Sequence, residues 1–96
     1  MSYKSLEEVR IAIDKVDFEI LSLIAKRKNI VKEAAKFKHS IDEIKSDDRI
    51  DDVISKARHN ALSLGVSPEL VTIIYKSMIE DMVETEIAQF QNVSNF

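Results

Sequence analysis

No cysteine occurs in this chain, which rules out disulfides, thiolate nucleophiles and cysteine-based metal centres. Aromatic residues are few, and glycine and proline occur once each in 96 residues. So few chain breakers point to long helices joined by few turns. No apolar run approaches the ~20 residues of a membrane span, and the first ten residues lack the apolar stretch of a secretory leader. A cytoplasmic protein is therefore expected. The net charge of −3 argues against nucleic acid as a partner, and any cationic site must be a local concentration against the overall sign. His39 and His59 have no ligand spacing. Asp47, Asp48, Asp51 and Asp52 lack the loop glycine and ordered oxygens of a calcium site. There is no Gly-rich phosphate loop and no nucleophile–base pair, so neither metal nor cofactor is expected.

What the chain does have is helical periodicity. With 45% apolar and 32% charged residues it reads as one globular domain over 1–96. A first helix is predicted over 5–38, with Ser5 as N-cap and Glu7 and Glu8 in its first turn. Its seam runs through Leu6, Val9, Ile13, Val16, Ile20 and Leu23, then Ile30, Ala34 and Phe37, in steps of three and four. His39–Lys45 breaks the period and reads as a polar connection. Ser46 caps a second helix over 47–64, closed by Gly65 at C′. Ser67 and Pro68 open a third over 68–91, whose inner face holds Val71, Ile74, Tyr75, Met78, Ile79, Met82, Val83, Ile87 and Phe90. The tail, Asn92–Phe96, is expected to fray. The first helix would be ~50 Å long at ~1.5 Å per residue, against a radius of gyration near ~12–13 Å for a compact domain of this size. Two shorter helices cover about half such a seam, so an intertwined homodimer is the economical solution. An elongated monomer with an exposed stripe is the alternative.

Several residues break the pattern. Arg27 occupies a seam position between Leu23 and Ile30, flanked on that face by Ile24 and Val31 rather than by an acid. A guanidinium there must be paired, must snorkel to the helix edge, or must await an anion. Lys38 follows by eleven residues, so on a continuous helix the two share a face with Cα atoms ~16 Å apart. They would then grip opposite ends of a small anion. Lys38 also suits a helix C-terminus by its charge alone. Arg10 lies too far along the same helix to join them, ~42 Å from Lys38. It is either a solvated charge or part of a site completed by another subunit. Arg49 is a further candidate cation, or a surface partner for Asp51 or Asp52. Glu86 sits among Met82, Ile79 and Phe90 on the inner face of the third helix, unless it pairs with a lysine at the surface.

Taken together, these segments resemble the all-helical, type II chorismate mutase family. The resemblance is carried by Leu6 to Asp14 with Asp17, Ala25 to Arg27, Val31 to Lys38, Asp48-Arg49 and Thr85-Glu86, and covers roughly residues 5 to 90. It implies an all-α, three-helix chain with one very long N-terminal helix, paired in an intertwined homodimer with two equivalent sites. It also implies that Arg27, Lys38 and Arg49 of one chain meet Arg10 of the other around a small dicarboxylate. Two positions depart from the usual pattern. Ile50 follows the helix-two arginine where family mutases place a Glu that contacts the ring hydroxyl of chorismate, and Glu86 stands where a Gln usually faces the ether oxygen. An aliphatic residue at the first position, with Phe37-Lys38, Ser40 and Arg58, is similar to the isochorismate pyruvate lyase branch of salicylate and siderophore pathways. A glutamate at the second is similar to fungal mutases. The leading expectation is an isochorismate pyruvate lyase with chorismate mutase activity. The alternatives are a dedicated chorismate mutase and a 4-amino-4-deoxychorismate mutase.

The chemistry implied is the same in each case. The substrate is a dianion with an enolpyruvyl ether, and the reaction is pericyclic, so the enzyme folds the side chain over the ring and stabilises charge as the C–O bond breaks. Lys38 and Glu86 are the expected catalytic residues. Lys38 would donate to the ether oxygen, and Glu86 helps there only when protonated. Arg27 and the partner's arginine at position 10 would clamp the carboxylates, while Arg49, Ile50 and Met82 complete the substrate-binding set. A competing, non-enzymatic reading is a helical dimerisation or ligand-binding module. In it Arg27 pairs with an acid of the partner chain, and Lys38 and Arg49 are surface charges.

Overall fold

The structure, a computed structural model, describes residues 2–94. It is 87% helical, with no strand among the described residues. The order is α1 (Leu6–Ala34), a 3₁₀ turn (Ala35–Phe37), α2 (Ile41–Ile44), α3 (Asp47–Leu64) and α4 (Pro68–Ser94). The three long helices are those expected from the periodicity, the first being the longest. No helix among the described residues is long and apolar enough to cross a membrane.

Serine starts every helix. The Oγ of Ser5, Ser40, Ser46 and Ser67 accepts from the backbone N–H three residues on, at 3.1, 3.3, 3.3 and 3.2 Å. Each satisfies one of the donors that a helix N-terminus leaves open. Twice the serine is followed by a glutamate at the third position. Glu8 accepts from Lys4 N–H at 2.6 Å and Glu43 from His39 N–H at 2.7 Å, in the manner of a capping box.

Two expected boundaries are corrected. The first helix does not run to Lys38. It ends at Ala34, and the chain tightens into the 3₁₀ turn. Ala35 is buried where that turn packs on α4, and Lys38 is extended at φ −95°, ψ 146°. Packing on α4, which local periodicity does not record, ends the helix. The 16 Å separation of Arg27 and Lys38 along one helix therefore does not apply, and Phe37 is 79% exposed rather than part of a seam. The connection 39–45 is not wholly irregular, since it contains the single turn of α2. The third helix runs three residues past its expected end. Of the tail expected to fray, Asn95 and Phe96 lie outside the described residues.

The chain divides into two compact units between Ile30 and Val31. In the first, α1 presents its apolar residues to solvent. Leu6, Val16, Ile20 and Leu23 are all exposed, and α1 buries no residue over its whole length. The second unit is an α3–α4 hairpin with the 3₁₀ turn and α2 packed on α4. Its small core is Ala35, Ile44, Ala61, Ile79 and Met82, with Glu86 buried among them. Ile74, expected inside, is exposed.

The hairpin is set by its ends. Gly65 adopts φ 72°, ψ 28°, the left-handed conformation only glycine takes without penalty. Val66 N–H donates to the Ala61 carbonyl at 2.9 Å and Gly65 N–H to that of Leu62 at 3.4 Å, a Schellman closure. Arg58 on α3 then ties the start of α4, donating to the Pro68 carbonyl at 3.2 Å and to Thr72 Oγ1 at 2.6 Å.

Candidate active site

Lys38 and Glu86 are brought together. Because Lys38 leaves the 3₁₀ turn in an extended conformation, its side chain reaches Glu86 on α4, with Nζ 3.4 Å from Oε2. The carboxylate side chain is 10% exposed and the lysine side chain 26%. The contact is close enough for attraction between charges but lacks hydrogen-bond geometry, so Glu86 Oε2 is buried without a hydrogen-bond partner. The Lys38 ammonium also donates to the Glu43 carbonyl at 3.4 Å. Met82, one turn before Glu86 on α4, is 2% exposed.

Arg49 stands differently. Its guanidinium is 65% exposed and donates to Asp52 Oδ2 at 2.9 Å, while Lys56 Nζ approaches the same oxygen at 3.0 Å. Hydrogen bonding from Lys56, with a smaller contribution from Arg49, holds the Asp52 carboxyl below its ordinary range. Ile50 is half-buried and lines an open cleft of about 580 Å³ between α3 and α4. Ile79 and Val83 share its floor, and Asp51, Glu80 and Glu84 lie among its walls. Neither Lys38 nor Glu86 lines it, and acids outnumber its lysines, so this cleft has the wrong sign for a dianion. Arg10, exposed, and Arg27, half-buried and itself engaged in an interaction, belong to the first unit. Among the described residues no group of three or more His, Asp or Glu gathers to hold a metal.

The sequence reading missed Glu43, which touches Lys38 through its carbonyl. The signal that marks it is the spacing Ser40-x-x-Glu43.

Lys38 and Glu86 thus form a cation–acid pair beside α4. A family model described as chorismate mutase type II matches residues 9–87, and the chain belongs to that family. This makes it a chorismate mutase-type pericyclic enzyme for a small dicarboxylate. Among curated proteins, none matches the chain.

Proposed function

We propose that the chain converts isochorismate to salicylate and pyruvate and also rearranges chorismate to prephenate, acting in the cytoplasm as a homodimer. The observation that carries this reading is the Lys38–Glu86 pair. The pair puts an ammonium next to a buried carboxylate oxygen that has no hydrogen-bond partner. Buried ion pairs contribute little to stability on balance, so a role toward a ligand accounts better for this one. Lys38 donates to the ether oxygen as the C–O bond breaks and negative charge grows there. Glu86 shares the position and holds the Lys38 ammonium by charge. Arg27, and Arg10 contributed by a second copy, clamp the two carboxylates, Arg49 adds positive charge, and Met82 excludes water.

The lyase reaction is favoured by the sequence pattern at Ile50, aliphatic where family mutases carry a Glu, although on the single chain Ile50 lines the acidic cleft and not the Lys38–Glu86 position. The family match favours the mutase, and a 4-amino-4-deoxychorismate substrate would also tolerate Ile50. The second copy is supported by α1, whose seam residues Leu6, Leu23 and Ile30 are 62%, 64% and 60% exposed on a single chain. An apolar stripe of that length calls for a partner surface. The deciding experiment incubates the protein separately with chorismate and with isochorismate and assays prephenate, salicylate and pyruvate. Salicylate and pyruvate from isochorismate establish the lyase, and prephenate alone establishes the mutase. No product from either substrate overturns the proposal.

A further inference from the structure

Glu43 is an exposed residue whose backbone and side chain are bonded to three successive residues, Lys38, His39 and Ser40. Its backbone carbonyl accepts from Lys38 Nζ at 3.4 Å. Its carboxylate accepts from the N–H of His39, the residue next to Lys38, at 2.7 Å. Its own N–H donates to Ser40 Oγ at 3.3 Å. These three bonds close the segment from Lys38 to Glu43 into a loop, and α2, which ends that loop, is anchored on α4 with Ile44 5% exposed. The same α4 carries Glu86. A four-residue helix has little stability of its own, so the geometry around Lys38 depends on these local bonds.

We propose that Glu43 is the positioning residue for Lys38. This rests on the reading above, in which Lys38 is the donor to the ether oxygen. The ammonium has three donors. The Glu43 carbonyl takes one, Glu86 attracts a second, and the third is left for the substrate. A backbone carbonyl suits the first task because it orients the ammonium without neutralising it. The carboxylate of Glu43 acts at one remove. By holding His39 N–H it fixes where the carbonyl sits, and so where the lysine head points. Glu43 touches no reacting atom.

The test has one arm that reads the position of Lys38 and another that reads turnover. In protein carrying ¹³C,¹⁵N-lysine, the Lys38 signal is assigned by its loss in Lys38→Ala. Its two ε-methylene protons should be resolved in the wild type and in Glu43→Gln, whose amide oxygen still accepts from His39. They should merge toward the free-lysine shift in Glu43→Ala. Glu43→Asp, a methylene short of His39, should behave like Glu43→Ala, and it serves in its place if that variant loses helical signal. In turnover, Glu43→Ala should lower kcat roughly tenfold with KM within about twofold of wild type, and Glu43→Gln should recover most of it. Added to Lys38→Ala, the Glu43→Ala change should cost nothing further, because its effect runs through the missing lysine. An unchanged Lys38 signal in both Glu43→Ala and Glu43→Asp, or rate losses that multiply in the double variant, would overturn the proposal. If the wild type turns over neither substrate, the functional reading fails alone and the lysine signal decides the role of Glu43.

Discussion

Lys38 Nζ lies 3.4 Å from Glu86 Oε2 across forty-eight residues of sequence, and that oxygen has no hydrogen-bond partner although it is buried. The arrangement holds opposite charges close while leaving hydrogen-bonding capacity unused. Replacing Lys38 leaves the buried Glu86 carboxylate without its counter-charge, so Lys38→Ala should lose stability as well as activity. Lys38→Ala is expected to lower kcat by ~10²–10³, the scale of losing one donor to a developing oxyanion. Steady-state kinetics checks this, and an unaltered kcat would remove Lys38 from the reaction.

Glu86 sits beside the Lys38 ammonium, where the proposed reaction builds negative charge. Glu86→Ala removes that group and should lower kcat about tenfold. Glu86→Gln keeps the shape and offers a neutral N–H donor, so it should retain more activity than Glu86→Ala. Equal kcat in wild type and both variants would show that the side chain plays no part in the reaction.

The proposed second copy has a kinetic signature. Arg10→Ala and Lys38→Ala chains should each be nearly inactive. Mixed under conditions that exchange subunits, they form heterodimers with one intact site, and a fraction of wild-type activity should return. Mass spectrometry confirms exchange, and its occurrence without recovered activity would contradict a site shared between chains.

Asp52 draws Arg49 into an exposed ion pair at 2.9 Å. Freed in Asp52→Asn, Arg49 should lower KM for a dianion severalfold at low salt, with kcat unchanged, and the difference should fade as salt screens it. The pH sense is fixed by the carboxyl being held low by Lys56 and then Arg49. A depressed carboxylate contributes stability above its unfolded value and loses it as pH falls through the folded one. Any difference in melting temperature between wild type and variant should accordingly be seen near neutrality and vanish in acid. It should be small, because the pair is exposed.

At Gly65 nothing lies within 4 Å of an added Cβ, so a side chain there meets only the cost of the left-handed backbone. Gly65→Ala should destabilise by about 1–2 kcal/mol, or roughly 4–8 °C in Tm per kcal/mol for a domain of this size. Gly65→Asn should cost less, and equal melting temperatures for all three proteins would refute the assignment.

Local chemistry made much of the fold legible. Ser46 and Gly65 bracket α3 at the expected residues because caps act over a few bonds. Glu86 was placed inside by its spacing from Met82 and Ile79. The end of α1 was not legible, since Ala34, Phe37 and Lys38 continue the pattern on paper and only packing of Ala35 against α4 stops the helix. The meeting of Lys38 with Glu86, a contact between distant segments, was not legible in local pattern, and it was the family resemblance that set both at the ether oxygen. Arg49 with Asp52 was visible as one of two readings, because a three-residue separation places both on one helical face.

One consequence follows from the glycine turn. Arg49 and Glu86 lie sixteen and twenty-one residues from Gly65 on opposite arms of the hairpin, roughly 24 and 30 Å out at ~1.5 Å per residue. The turn is the fulcrum of two long levers. An angular error of about 2° at the pivot would sweep the far tips by about 1 Å, a displacement able to cost ~10²-fold in rate. The brace from Arg58 to Pro68 and Thr72 sits close to that pivot and fixes the angle at which the two arms leave it.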